Sequence, residues 1–206
     1  MDRRYFLGIT AFLILSALPA PCAEEKAEQD KFEILENCSL VANPANDGDS
    51  FHVSHEGREW FFRLYFVDSP ESDEHLEDRL KEQGEVFGLK PEDVLKAGKK
   101  AKKFTAESLG RGKFTIYTKW KDAKGASGMK RYFAFIRKGK EDYAEILVEN
   151  GWARVYGASD VTPEGKSVNE TYGKLKALQR KAKAGHKGAW TSKNAKDSPE
   201  DSPTSG

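Results

Sequence analysis

Asp47-Gly48-Asp49-Ser50-Phe51-His52-Val53 leads through Ser54-His55-Glu56-Gly57-Arg58 into Trp60-Phe61-Phe62-Arg63-Leu64-Tyr65-Phe66-Val67-Asp68-Ser69-Pro70-Glu71-Ser72. Two runs rich in aromatic and β-branched residues flank a short polar loop that carries Gly57. Such runs favour strands and such a loop suits a tight connection, so the stretch predicts a β-hairpin. Asp49 then stands at one end of the hairpin, and Asp68 at the far end of the returning strand. Antiparallel pairing brings those ends together, with Glu71 just beyond them. Acids converging on strand ends beside Arg63 suit a hard cation and a phosphate. Parity raises a difficulty. Arg63 and Asp68 are five positions apart, so an ideal strand sends them to opposite faces. A bulge, or a strand that ends near Val67, is needed for both to face one site.

The chain has 206 residues, enough for one domain with a substantial core and extensions. It is 33% charged and 38% hydrophobic, with a formal net charge of +1. Overall charge therefore gives no reason to expect a nucleic-acid partner, and any attraction is local. Residues 1–23 read as a cleaved signal peptide. Arg3 and Arg4 make a positive start, Phe6 to Leu18 is an apolar run too short to span a bilayer, and small residues lead to Ala23. An uncleaved anchor is the alternative. Arg3-Arg4-Tyr5-Phe6-Leu7 resembles a twin-arginine signal, though an ordinary secretory signal begins similarly. The expected location is the periplasm or the exterior. Removal of Cys22 with the signal leaves Cys38 alone, with no internal disulfide.

Residues 24–31 read as a charged linker, and 32–192 as the folded domain. A first strand falls within Phe32–Ala42, and Asn43 to Gly48 is a turn by its chemistry. Ser72 to Gly88 is acidic, with Leu76, Leu80 and Phe87 in a weak helical stripe, and reads as a solvated helical insertion. His75 within it reads as exposed. Pro91-Glu92-Asp93 opens a helix whose apolar stripe runs from Val94 to Leu109, stopped by Gly110. Its other face carries Lys96, Lys99, Lys100, Lys102 and Lys103, open to two readings: a solvated face or a nucleic-acid surface. Lys113–Trp120 and Arg131–Arg137 alternate as strands around a flexible loop at Lys121–Lys130. Tyr143–Asn150 is a short helix stopped by Gly151, and Trp152–Tyr156 a last strand. Tyr172, Leu175, Leu178 and Ala182 mark a terminal helix, and Trp190 is expected to return to the core. Residues 193–206 form a polar, Ser- and Pro-rich disordered tail. About five short strands and three main helices, without regular βαβ alternation, predict an α+β protein built mainly on a small barrel.

Several of these motifs occur together in one known family. Asp47-Gly48-Asp49-Ser50, Arg63 to Glu71 and Arg131-Tyr132-Phe133-Ala134-Phe135-Ile136 resemble the staphylococcal nuclease (thermonuclease) family. So do Leu147-Val148-Glu149-Asn150-Gly151-Trp152-Ala153 and Lys181 to Trp190. The resemblance covers roughly residues 32–192. It implies a five-stranded OB-fold barrel with packed helices and calcium-dependent hydrolysis of DNA or RNA phosphodiesters. Asp49 and Asp68 match the family's metal carboxylates, and Ser69 a residue that lends its backbone carbonyl to the metal. Arg63 and Arg131 match its phosphate-binding arginines, and Glu71 its catalytic glutamate. Three departures bear on base preference and nucleotide affinity. The acidic stretch after Glu71 is longer, Gly128-Met129-Lys130 lacks an expected aromatic residue and glycine, and Tyr156-Gly157 does not reproduce a pair of nucleotide-flanking tyrosines.

The chemistry implied is coherent. Calcium accepts two carboxylates, a carbonyl and waters in a flexible shell. Two guanidiniums bind a phosphate through paired charge-assisted bonds that lysine makes less well. Glu71 positions or deprotonates the attacking water. Singly, Asp49 reads as a turn residue and Arg63 as a surface ion-pair partner; six such residues together point to a site. The competing function is a non-catalytic OB-fold module that binds nucleic acid without cleaving it. The expected species is a monomer acting on DNA, RNA or both.

Overall fold

A computed structural model describes residues 31–124 and 130–191. The signal, most of the linker, the tip of the loop at 121–130 and the tail lie outside the described residues. All the elements below fall within Phe32–Gly206, one of two units into which the chain divides.

The predicted hairpin forms, with β2 (Ser50–His55) and β3 (Arg58–Leu64) paired in register from Ser50↔Arg63 to His55↔Arg58. Glu56 and Gly57 turn the chain with positive φ. β1 (Glu33–Leu40) pairs antiparallel with β2 on one side and with β5 (Phe114–Asp122) on the other. β5 pairs antiparallel with β6 (Tyr132–Lys138), and β6 runs parallel to β3. That last pairing closes five strands into a barrel, as expected. Two smaller pairings are added. β7 (Glu141–Asp142) folds back on β6, and β4 (Val67–Asp68) pairs with β8 (Arg154–Val155). The last strand is thus shorter than Trp152–Tyr156.

The described residues form four helices, one more than the three main helices expected. α1 (Glu77–Phe87) is the insertion, ended by Gly88 in the left-handed region. α2 (Pro91–Leu109) has its proline at the start and acids in the first turn, where the helix dipole favours them. α3 (Tyr143–Glu149) is capped by Asp142, whose carboxylate accepts from the N–H groups of Ala144 and Glu145. α4 (Val168–Ala184) begins with a reciprocal Ser167–Glu170 capping box. Among the described residues no helix is long and apolar enough to cross a membrane.

Phe51, Val53, Phe62, Leu64, Ile116 and Ile136 fill the barrel, covered by Leu109, Tyr143, Leu147 and Leu175 from the helices. Each such side chain contributes about 1.5–3 kcal/mol by leaving water. Trp190 is fully buried, but in a second cluster with Phe87, Ala97, Ala182 and Ala189 rather than in the barrel. Its ring centroid lies 4.4 Å from that of Phe87. This cluster corrects the reading of the insertion. Leu80, Gln83, Gly84 and Phe87 are all buried, so α1 is anchored along one face instead of being solvated all round.

Candidate active site

The site forms where the turn before β2 meets the segment after β3. In the turn, the Asp47 N–H donates to the Ser50 carbonyl at 2.6 Å, and the Leu64 N–H of β3 donates to the Asp49 carbonyl at 3.0 Å. Gly48 sits against Ser69 so closely that a Cβ there would lie 2.5 Å from Ser69 Oγ. Glycine is the residue that permits this approach. The Thr105 hydroxyl of α2 donates to the Gly48 carbonyl at 2.7 Å and fixes the turn from the other side.

The parity difficulty has a backbone answer. β3 stops at Leu64, earlier than the predicted end near Val67. Phe66 then adopts φ of +68°, a left-handed conformation rare for a bulky residue. The chain restarts as β4 with new alternation, so Asp68 no longer follows Arg63's phase. Arg63 Nη2 reaches Asp49 Oδ2 at 3.1 Å and Asp68 Oδ1 at 3.0 Å. The predicted convergence of Asp49, Arg63 and Asp68 is therefore present, although Asp68 lies beyond the returning strand, not on its end.

The two carboxylates are almost fully buried but differently supported. On Asp68, Oδ1 accepts from Arg63 and from Arg79 Nη2 at 2.7 Å. Oδ2 accepts from Arg154 Nε at 2.9 Å and Gln83 Nε2 at 3.0 Å. Burial opposes the charge on Asp68, but Arg79, Arg154 and Arg63 together outweigh it and hold the carboxyl below its usual range. Asp49 receives Ser50 Oγ at 3.2 Å, the Ser69 N–H at 3.4 Å and Arg63. Burial dominates there, and neighbouring Asp68 adds to it, so the Asp49 carboxyl is pushed up despite Arg63. Asp47, half-buried in the same turn, is pushed up to about 8 by burial and by the charges of Asp49 and Glu71.

Glu71 is also raised, mainly by burial. Its Oε1 accepts from the N–H groups of Ser72 at 2.9 Å and Asp73 at 3.1 Å, so the carboxylate caps its own turn. Gly98 of α2 lets the helix backbone pass against the Glu71 carbonyl, where any Cβ would collide. Arg131, at the entry to β6, is further away. Its Nη2 donates to the Lys124 carbonyl at 3.3 Å, its guanidinium lies 5.5 Å from the centre of the Phe61 ring, and its Nε is buried without a partner among the described residues. A groove of about 900 Å³ gathers these groups: Asp47, Arg63, Asp68, Glu71 and Arg131 all line it. Exposed His75 also lines it, with Lys99 and Lys102 from one edge of the basic face of α2.

Three side chains absent from the sequence-derived set complete the site. Gln83, wholly buried on α1, donates from Nε2 to both Asp68 and the Ser69 carbonyl, and accepts the Glu71 N–H on Oε1 at 2.6 Å. Arg79, one turn earlier on α1, bonds Asp68. Arg154 of β8 stands directly opposite Asp68 in the β4–β8 pair, and its Nη1 also reaches Glu82 Oε1 at 2.6 Å. An arginine amid the apolar Trp152–Tyr156 run was the available signal for Arg154. The i,i+4 spacing of Arg79 and Gln83 was the one for α1. Asp47, in the quoted motif, is the fourth acid of the site.

A hard divalent cation matches the donor types here. Asp47, Asp49 and Glu71 are acids raised by burial first and by neighbouring carboxylates second, and the Ser69 hydroxyl is buried without a partner among the described residues. As arranged, however, no group of three or more acidic, histidine or cysteine side chains among the described residues is set to hold an ion.

The family model for staphylococcal nuclease homologues matches residues 61–192. The match includes Arg63, Asp68, Ser69, Glu71 and Arg131, and begins after Asp49. No curated protein matches the chain.

Proposed function

This chain belongs to the staphylococcal nuclease homologue family, and we propose that it is a calcium-dependent nuclease that hydrolyses phosphodiester bonds of DNA, RNA or both. The observation that carries this reading is the junction of Asp49 and Asp68 at Arg63, beside a groove that Arg63 and Asp68 line together with Glu71 and Arg131. Asp47, Asp49, Asp68 and the Ser69 carbonyl would hold the ion. When bound, a divalent cation would offset negative charge that develops on the phosphate oxygens. Arg63 and Arg131 approach the phosphate from two sides with planar, permanently charged forks. Glu71 orients the attacking water and takes its proton. Both backbone bonds to Glu71 fall on Oε1, which leaves Oε2 for that task, and burial raises its affinity for a proton, which favours a base. The basic edge of α2, through Lys99 and Lys102, draws the polyanion along the groove.

The enzyme acts outside the cytoplasm, a reading supported by the signal-like sequence of residues 1–23. Mass spectrometry is expected to find a new N-terminus near Glu24, and an intact Met1 in a membrane fraction would overturn export. A second function is favoured by one observation. Both oxygens of Asp68 are occupied by three arginines and Gln83, as in a purely structural ion-pair network that serves a binding barrel. One assay separates the two. Purified protein incubated with plasmid DNA and with RNA is expected to degrade them with calcium and to spare them with a chelator. Retention of nucleic acid on the protein without any cleavage favours the binding module instead.

A further inference from the structure

The insertion helix α1 brings a guanidinium to the site that the reaction above does not use. Four groups hold Asp68, and three are fixed. The Arg154 side chain is 1% exposed, bonded to Glu82, and lies 4.3 Å over the Tyr156 ring. Gln83 is wholly buried and shared with Ser69 and Glu71. Arg63 is shared with Asp49. Withdrawing any of these strands a buried polar or charged partner, which is strongly unfavourable. Arg79 differs. Its side chain is 37% exposed, its other partner Glu82 is 43% exposed, and it lines the groove that also holds Arg63 and Arg131. The exposed Arg79–Glu82 pair restrains it weakly. Its Nη2 also occupies Oδ1 of Asp68 together with Arg63. A divalent cation drawn to Asp68 meets that guanidinium as a like charge in a buried place, and one of them must yield.

Building on the nuclease reading, we propose that Arg79 is a third phosphate-binding residue. It balances Asp68 while no cation is bound, and turns its fork to the substrate phosphodiester when a cation takes Asp68. Arg79 thereby links the two ligands. The ion frees the fork, and the freed fork adds a bidentate, charge-assisted contact to the incoming phosphate. The ligand class is the phosphodiester backbone, so the contact is independent of base. The same displacement makes Arg79 an obstacle to the ion in the absence of substrate.

The test uses full-length exported protein stripped with chelator, as parent, Arg79→Gln and Arg79→Lys. Calcium binding is followed by calorimetry without substrate, and cleavage by kcat/KM on plasmid DNA. Arg79→Gln is expected to bind calcium about tenfold more tightly yet to cleave at least tenfold less efficiently. Arg79→Lys, which keeps the charge but loses the fork, is expected to bind calcium nearly as the parent does and still to cleave poorly. Opposite movements of metal affinity and cleavage are not produced by simple loss of structure, which weakens both. Unchanged or weaker calcium binding by Arg79→Gln, with an active parent, overturns the role of Arg79 alone. A parent that neither binds calcium nor cleaves overturns the nuclease reading and this inference with it.

Discussion

The turn that carries Asp49 and the segment that carries Asp68 meet at one guanidinium but balance their charge in opposite ways. Around Asp49 lie Asp47 and Glu71, and the nearest cation is the shared Arg63. Around Asp68 lie Arg63, Arg79 and Arg154, with Gln83 supplying a further donor. One half is short of positive charge and has raised carboxyl values; the other is saturated and has a lowered one. Both are buried, so burial does not distinguish them. The difference lies in what the fold brings alongside. The Asp49 half joins the turn at Asp47–Ser50 to the strand and segment that follow it, Arg63, Ser69 and Glu71. The Asp68 half is built from β8 and α1, and its charge balance exists only in the folded chain. An acid left under-compensated is poised for a cation, whereas one that is fully paired serves as structure until a ligand displaces a partner.

The sharpest way to break this contrast is to neutralise each acid without changing its shape. Asp68→Asn places an amide group against three guanidiniums and leaves buried cations unbalanced. A loss of about 3–5 kcal/mol in unfolding free energy is expected. Asp49→Asn removes a carboxylate that burial already disfavours, so its stability should stay within about 1 kcal/mol of the parent. Both variants should lose calcium-dependent cleavage. Urea unfolding in chelator measures the first pair of values, and equal destabilisation by the two substitutions would show that the two halves are not electrically different.

The same contrast explains what could be read from the chain alone. The hairpin, the α2 helix and the barrel follow from alternation, caps and turn residues, all of them local signals. Asp49, Arg63 and Asp68 were found because one hairpin brings them together. The sequence also demanded a break between Arg63 and Asp68, and Phe66 supplies it. Arg154 was hidden because its partner is 86 positions away. Arg79 and Gln83 were hidden because an acidic composition makes α1 look solvated. Its weak apolar stripe, Leu80 and Phe87, is the face that docks, and Gln83 lies on that face. Glu71 lines the groove with Arg63 and Asp68, and its bonds to Ser72 and Asp73 depend on the turn geometry after Pro70.

Arg63 and Arg131 sharpen the comparison at the next level of effect. Arg63 ties the two halves together; Arg131 has no carboxylate among the ion pairs of the described residues and faces the groove. Replacing either by lysine keeps the charge and removes the planar fork. Cleavage is expected to fall about a hundredfold or more in each, about 3 kcal/mol of transition-state stabilisation. The two should differ in stability. Arg63→Lys loosens both acids and should lower the unfolding midpoint, while Arg131→Lys should leave it nearly unchanged. Near-parental kcat/KM in either variant would remove that arginine from the phosphate site.

The smallest effect is expected at Asp47, and it tests the under-compensated half directly. Its carboxyl moves from an ordinary value of 3.8 to about 8 on folding. Between those values the folded chain therefore binds more protons at this position than the unfolded chain does. Linkage then requires stability to fall as pH rises through that window, because each step upward favours the state that holds fewer protons. Without calcium, the parent should lose stability from about pH 5 to pH 8 as Asp47 is forced to ionise beside Asp49 and Glu71. Asp47→Asn removes the ionisation and keeps an acceptor for the Gly48 N–H, which Asp47 Oδ1 binds at 2.8 Å. A gain of roughly 0.5–2 kcal/mol at pH 8 is expected, with little change near pH 5. Calcium should reverse the order, since the ion supplies the missing positive charge to the parent and finds one carboxylate fewer in the variant. Urea unfolding at several pH values, with chelator and then with calcium, reads both. A flat parental profile in chelator, or a calcium-induced gain of equal size in both proteins, would mean that the turn carries no surplus of negative charge.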